Sequence, residues 1–187
     1  MHISRPHRRG AIALASVTLA AVLVGGVITA QAHDADGSGH LTGPQRTVIE
    51  KATRQFRDVD RAVAAGYVPT EECSELPGVG AMGYHFVNPA LASDARIDPT
   101  QPEVLLYRKD SQGRFVLAGA EWFMADGDQK LSTDLDRPTL FGHPFDGPMP
   151  GHDENMPAHY DLHVWTEFKN PTGELSAWNP RLTCPNP

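Results

Sequence analysis

Along residues 44–65 the apolar side chains recur at three- and four-residue steps: Val48, Ile49, Ala52, Phe56, Val59 and Val63, with charges on the opposite face. That period predicts an amphipathic helix, with Pro44 suited to its first turn and Gly66 to its stop. Further on the period changes to two. Residues 103–107 and 114–124 are rich in strand formers and are separated by Lys109-Asp110-Ser111-Gln112-Gly113, a hairpin loop ending in glycine. Strict alternation points Phe115, Leu117, Gly119, Glu121 and Phe123 one way and Val116, Ala118, Ala120, Trp122 and Met124 the other. Residues 158–168 return to strand composition, bounded by Pro157 and Asn170-Pro171, and a last short strand is expected from Leu175 to Trp178. Between Ala125 and Pro157 there is little periodicity and much Gly, Pro and Asp. A loop of that length inside a compact domain carries function or hides short elements. The predicted fold class is α+β: one N-terminal amphipathic helix packed on an antiparallel β-sheet, with curling toward a barrel as a variant.

The head of the chain belongs to a different class of segment. Arg5, Arg8 and Arg9 precede the apolar run of residues 11–30, and Ala30-Gln31-Ala32 has the form of a cleavage site. This is the pattern of a secretory signal peptide over residues 1–32, with an uncleaved membrane anchor as the competing reading. Arg8-Arg9 raises twin-arginine export, although the Gly and Ala that follow match that signal poorly. Residues 33–43, HDADGSGHLTG, read as a flexible mature N-terminus, and residues 44–187 as a single α+β domain.

Removal of the first 32 residues leaves 155, enough for one domain with a real core. The removed segment carries three arginines and no carboxylate, so the net charge of −7 becomes −10. An acidic exported protein is a poor partner for nucleic acid or for an anionic membrane beyond the signal segment; the nature of any small-molecule or protein partner stays open. The chain has two cysteines, Cys73 and Cys184. In an exported protein such a pair predicts one disulfide.

Two motifs are decoys. Asp34, Asp36 and Ser38 imitate the start of a calcium-binding loop, but Gln45 stands where a bidentate Glu is required. Gly78-Val79-Gly80-Ala81-Met82-Gly83 matches a dinucleotide fingerprint without the strand before it and the helix after it, so these glycines serve a tight turn or close backbone approach.

From about Ala62 to Cys184 the chain resembles a family of exported bacterial proteins that has no established function. The resemblance rests on AVAAGYVPTEEC, GVGAMGYHFVNPAL, PEVLLYRKDSQGRFVLAGAEWF and GHPFDGPMPGHDENMPAHYDLHVW. It implies export and a single domain, and it assigns no catalytic role.

Chemistry therefore has to come from the residues, and residues 159–165, HYDLHVW, concentrate it. In a strand, His159, Asp161 and His163 share one face, while Tyr160, Leu162 and Val164 share the other. Neighbouring members of that row can share an ion, with further ligands from other strands. His85 lies in an extended stretch, and a carboxylate at Glu121 would be costly to bury alone. His85, Glu121, His159 and His163 thus make a candidate site for Zn, Cu, Mn or Fe. Asp161 would bind directly or hold an imidazole N–H, and His143 and His152 could cap the site. The predicted function is an exported metal-binding protein able to act as a metalloenzyme. The alternative is a non-catalytic extracytoplasmic binding or structural module with incidental histidines. The chain has no nucleophile elbow, so covalent hydrolysis is not supported.

Overall fold

The structure, a computed structural model, describes residues 39–152 and 156–185. The expected signal segment and positions 33–38 of the lead-in lie outside the described residues. Helix α1 spans Gly43–Thr53 and opens on a capping box. The Gln45 amide donates to Thr42 Oγ1 at 3.5 Å, and the Thr42 amide donates to Gln45 Oε1 at 2.7 Å. Gln45 is the wrong residue for a calcium loop and the right one for this cap. Just ahead of it Leu41 is buried, and its amide donates to the Glu174 carboxylate at 2.6 Å. Arg46 pairs with the same carboxylate.

The single helix expected over residues 44–65 is broken. A 3₁₀ turn, Arg54–Arg57, follows α1, Asp58 is extended, and a second helix α2 runs from Val59 to Ala64. The Asp58 carboxylate accepts the Asp60 amide at 3.1 Å, so this acidic residue acts as a new N-cap. The tighter turn and the cap shift the phase of the apolar stripe. Ile49, Phe56 and Ala62 face the core, whereas Val48 and Val63, counted in the predicted stripe, are exposed.

The strands are β1 (Val68–Leu76), β2 (Gly80–Val87), β3 (Val104–Lys109), β4 (Phe115–Ala125), β5 (Thr139–Leu140), β6 (His143–Pro144), β7 (Asp146–Met149) and β8 (His159–Val164). Six form an antiparallel sheet in the order β1-β2-β3-β4-β8-β7, and β5 pairs with β6 in a separate ribbon. The sheet stays open, with β1 and β7 as its edges. The fold is therefore α+β, mostly β, and the barrel variant is not realised. The loop expected over residues 125–157 holds three short strands. The strand expected at 175–178 is absent: turns occupy this stretch, held by Asn170 Nδ2 donating to the Ser176 and Trp178 carbonyls at 3.2 and 3.0 Å.

The sheet has two unequal faces. Tyr84, Phe86, Leu105, Tyr107, Ala120, Trp122, Tyr160, Leu162 and Val164 pack with Ile49, Phe56 and Ala62 in the main core. Phe115 and Leu117 join that core too, against the strict alternation predicted for β4. The reason is a bulge: Leu106 pairs with Gly119 but Tyr107 pairs with Leu117, leaving Ala118 extra. The bulge flips the upstream half of β4, so Glu121 does not share a face with Phe115 and Leu117. Gly119 is required beside it, since a Cβ there would sit 2.4 Å from the Val164 carbonyl oxygen.

Phe56 illustrates how the helices hold the sheet. Its ring meets Tyr67 edge-on at 5.2 Å, and its carbonyl accepts the Tyr107 hydroxyl at 2.6 Å. Phe56→Ala is expected to destabilise by about 3–5 kcal/mol in denaturant titration, and a loss below about 1 kcal/mol would mean that this contact is not core.

A smaller cluster of Ala81, Ala118, Trp165 and Leu182 is closed by the C-terminal tail. Cys73 on β1 and Cys184 form a disulfide across 111 residues of chain, with Cα atoms 5.7 Å apart. Gly80 of the glycine-rich motif permits the tail to approach: a Cβ there would lie 2.4 Å from the Asn179 carbonyl oxygen. Among the described residues no helix is long and apolar enough to cross a membrane.

Candidate metal centre

Antiparallel register places the candidate ligands in rows on the sheet face opposite the helices. Glu121 on β4 pairs with His163 on β8, and Phe123 with Asp161. On the other side Glu121 pairs with Val104 of β3, and His85 on β2 pairs with Leu106. Paired residues send side chains to the same face. His85 therefore reaches Glu121 diagonally across β3, a step available because Gly119 offers no side chain between them.

Ligand atoms of His85, Glu121 and His163 lie within 4.8 Å of one another. Glu121 Oε2 is 3.3 Å from His85 Nε2 and 3.6 Å from His163 Nε2. Neither approach has hydrogen-bond geometry, and Glu121 Oε2 and both ring nitrogens of His163 have no partner. Beyond His163 the row continues: Nδ1 is 3.7 Å from Asp161 Oδ1, and Asp161 Oδ2 is 3.9 Å from His159 Nε2. Asp161 Oδ1 and His159 Nε2 are also without partners. Glu121, Asp161, His159 and His163 are all buried, while the His85 side chain keeps 17% of its surface exposed. Buried polar atoms are nearly always paired, so a contiguous row of orphans needs a physical cause. An ion accepts lone pairs from several such atoms at once, and the separations here are those of ligands around one.

The electrostatics fit the same picture. Burial alone would raise the Glu121 carboxyl, but His163 and His85 outweigh it and hold the group well below the usual carboxylate range. For His163 burial acts to lower the imidazole, yet Glu121 and Asp161 pull it up to about 9. Free of metal, the protein thus holds an imidazolium between two carboxylates.

The other predicted residues separate into groups. His159 lies beyond Asp161 rather than in the trio, because four strand residues put its Cα about 13 Å from that of His163. It stacks on Phe123 at 5.0 Å, and the exposed His152 meets its ring edge-on at 5.2 Å. His143 stands apart in β6, where a Cβ on Gly39 would be 3.2 Å from its Nδ1.

Two acidic residues escaped the sequence reading. Asp146 pairs with Asp161 across β7 and β8, and its charge adds to the upward pull on His163. Only the short strand β7 brings it there, and nothing in a Gly/Pro-rich run announces a strand. Glu103 is buried just ahead of β3 and accepts the Phe123 amide at 3.0 Å, replacing the ladder bond that β3 no longer supplies. Burial, with smaller contributions from Asp94 and Glu121, pushes its carboxyl up to about 8.

The chain matches no family model, and no curated protein and no solved structure is significantly similar to it.

Proposed function

We propose that the protein is an exported metal-binding protein whose centre is His85, Glu121 and His163. The observation that carries this reading is the convergence of these ligand atoms, with Glu121 Oε2 and both His163 nitrogens buried and unpaired. Two imidazoles and one carboxylate suit Zn, Mn or Fe(II), with Cu(II) also accommodated. Three protein ligands leave at least one position for water or substrate, the composition of a reactive site rather than a closed structural one. A bound ion would supply Lewis acidity there. Asp161 would hold the His163 Nδ1–H and fix the ring with Nε2 toward the ion. The disulfide fits an oxidising compartment and supports the export that the N-terminal sequence predicts. The resemblance to exported bacterial proteins points the same way.

Elemental analysis tests the centre. The purified chain, loaded with zinc, manganese, iron(II) or copper and desalted, is expected to retain at least one equivalent of one of them. His85→Ala should lose an ion and keep its fold, because this ligand sits at the exposed margin. A wild-type chain that retains none of the four ions would leave the rival reading, a non-catalytic module with incidental histidines.

A further inference from the structure

The trio does not account for all the orphans. His159 Nε2 and Asp161 remain, buried and unpaired, on the far side of His163. His159 Nδ1 lies 3.1 Å from the Pro157 carbonyl oxygen. A carbonyl only accepts, so that contact assigns the hydrogen to Nδ1. The neutral ring then presents a lone pair at Nε2, which is how a ligating histidine is held by its surroundings.

That lone pair faces a carboxylate. Asp161 Oδ2 is 3.9 Å away, too far for a hydrogen bond. Two ligand atoms each about 2.0–2.2 Å from a shared ion stand roughly 3–4 Å apart, so the gap suits a cation between them. A third donor is close by. The His152 ring is 5.2 Å from the His159 ring, centroid to centroid, and nearly perpendicular at 81°. Imidazoles sharing a tetrahedral ion have centroids about 5 Å apart, given metal–nitrogen bonds of about 2.0–2.1 Å. The opposite side of His159 is closed by Phe123, whose ring stacks on it at 5.0 Å and fixes its plane.

We propose a second ion position, formed by His159 Nε2, Asp161 Oδ2 and His152, beside the His85–Glu121–His163 centre. This rests on the metal-binding reading and goes beyond it: the row would hold two ions, with Asp161 between them. One Asp161 oxygen orients His163 and the other binds the second ion. The ligand class is a divalent transition ion with nitrogen and oxygen preference. The exposed His152 makes this the more open position of the two, so it should bind more weakly and exchange faster.

Zinc titration of the full chain by calorimetry, with elemental analysis at saturation, tests the proposal. The wild-type chain should take up two equivalents in two distinguishable phases. His159→Ala should abolish the weaker phase and leave the tighter one. Because His159 is buried and its loss could impair folding, His152→Ala serves as the surface control. It should weaken the second phase at least tenfold and leave the first unchanged. His85→Ala should do the reverse, removing the tight phase. A wild-type stoichiometry of one, or a second phase indifferent to both His152→Ala and His159→Ala, overturns the second position and leaves the first intact. No uptake at all overturns the metal reading together with it.

Discussion

Replacing His163 by alanine is expected to lower metal affinity at least a hundredfold and to destabilise the metal-free chain by about 3–5 kcal/mol at pH 7. The two effects have separate causes. The first is loss of a ligand. The second arises because His163 is fully buried between Glu121 and Asp161 and carries the positive charge that keeps Glu121 ionised. Without it a carboxylate is left in a low-dielectric setting with only the marginal His85 close by. Against a usual total stability of about 5–15 kcal/mol this is a large share, and the melting temperature should fall by roughly 6–20 °C.

The causes separate in the double variant Glu121→Gln/His163→Ala. Neutralising the stranded carboxylate should recover more than half of the lost stability, while metal binding stays abolished. Recovery of both, or of neither, would break this account. A single-variant loss below about 1 kcal/mol would show that no buried pair exists, and undiminished zinc affinity would remove His163 from the ligand set.

The parts of this architecture that were legible in the sequence are those set by local periodicity. The β3–β4 hairpin is readable because Asp110 and Gly113 mark its turn: the Asp110 carboxylate accepts the Gln112 amide at 2.8 Å and the Arg114 amide at 3.0 Å. The row of His159, Asp161 and His163 is readable because β8 alternates without interruption. What stayed hidden depends on irregularity or on distant partners. Asp58 looks like one more charge on a helix surface until it caps α2. The bulge at Ala118 leaves no mark in composition, yet it decides which face Phe115 and Leu117 take. Strand β1 reads as a loop because its Pro69, its acidic run and two register shifts against β2 spoil the alternation. The partition of the histidines was hidden for the same reason. Alternation puts His159 and His163 on one side, but only the register of β4 against β8 puts Glu121 opposite His163 rather than opposite His159.

That register also sets the pH behaviour, which should run in opposite directions with and without metal. In the metal-free chain His163 is raised from 6.5 to about 9 by Glu121 and Asp161. A raised folded-state value means that the charged form stabilises the fold. The contribution is fully present below pH 6.5 and is lost as pH rises through about 9. Its size is about 3 kcal/mol at about 1.4 kcal/mol per unit. Glu121, held low by the same partners, adds a loss on the acid side, as pH falls below 4.5. Both describe one buried interaction and are not summed. Metal-free stability should therefore be highest between about pH 4.5 and 6.5 and decline toward pH 9. A bound ion needs the Nε2 lone pair and must displace that proton, so apparent zinc affinity should rise about tenfold per pH unit from 7 to 9 and then level off. Denaturant titration of the chelated chain and competition titration of zinc across pH 6–10 measure the two trends. A zinc affinity that levels off near pH 6.5 would mean that no carboxylate holds a proton on His163, and a metal-free stability that is flat from pH 6.5 to 9 would say the same.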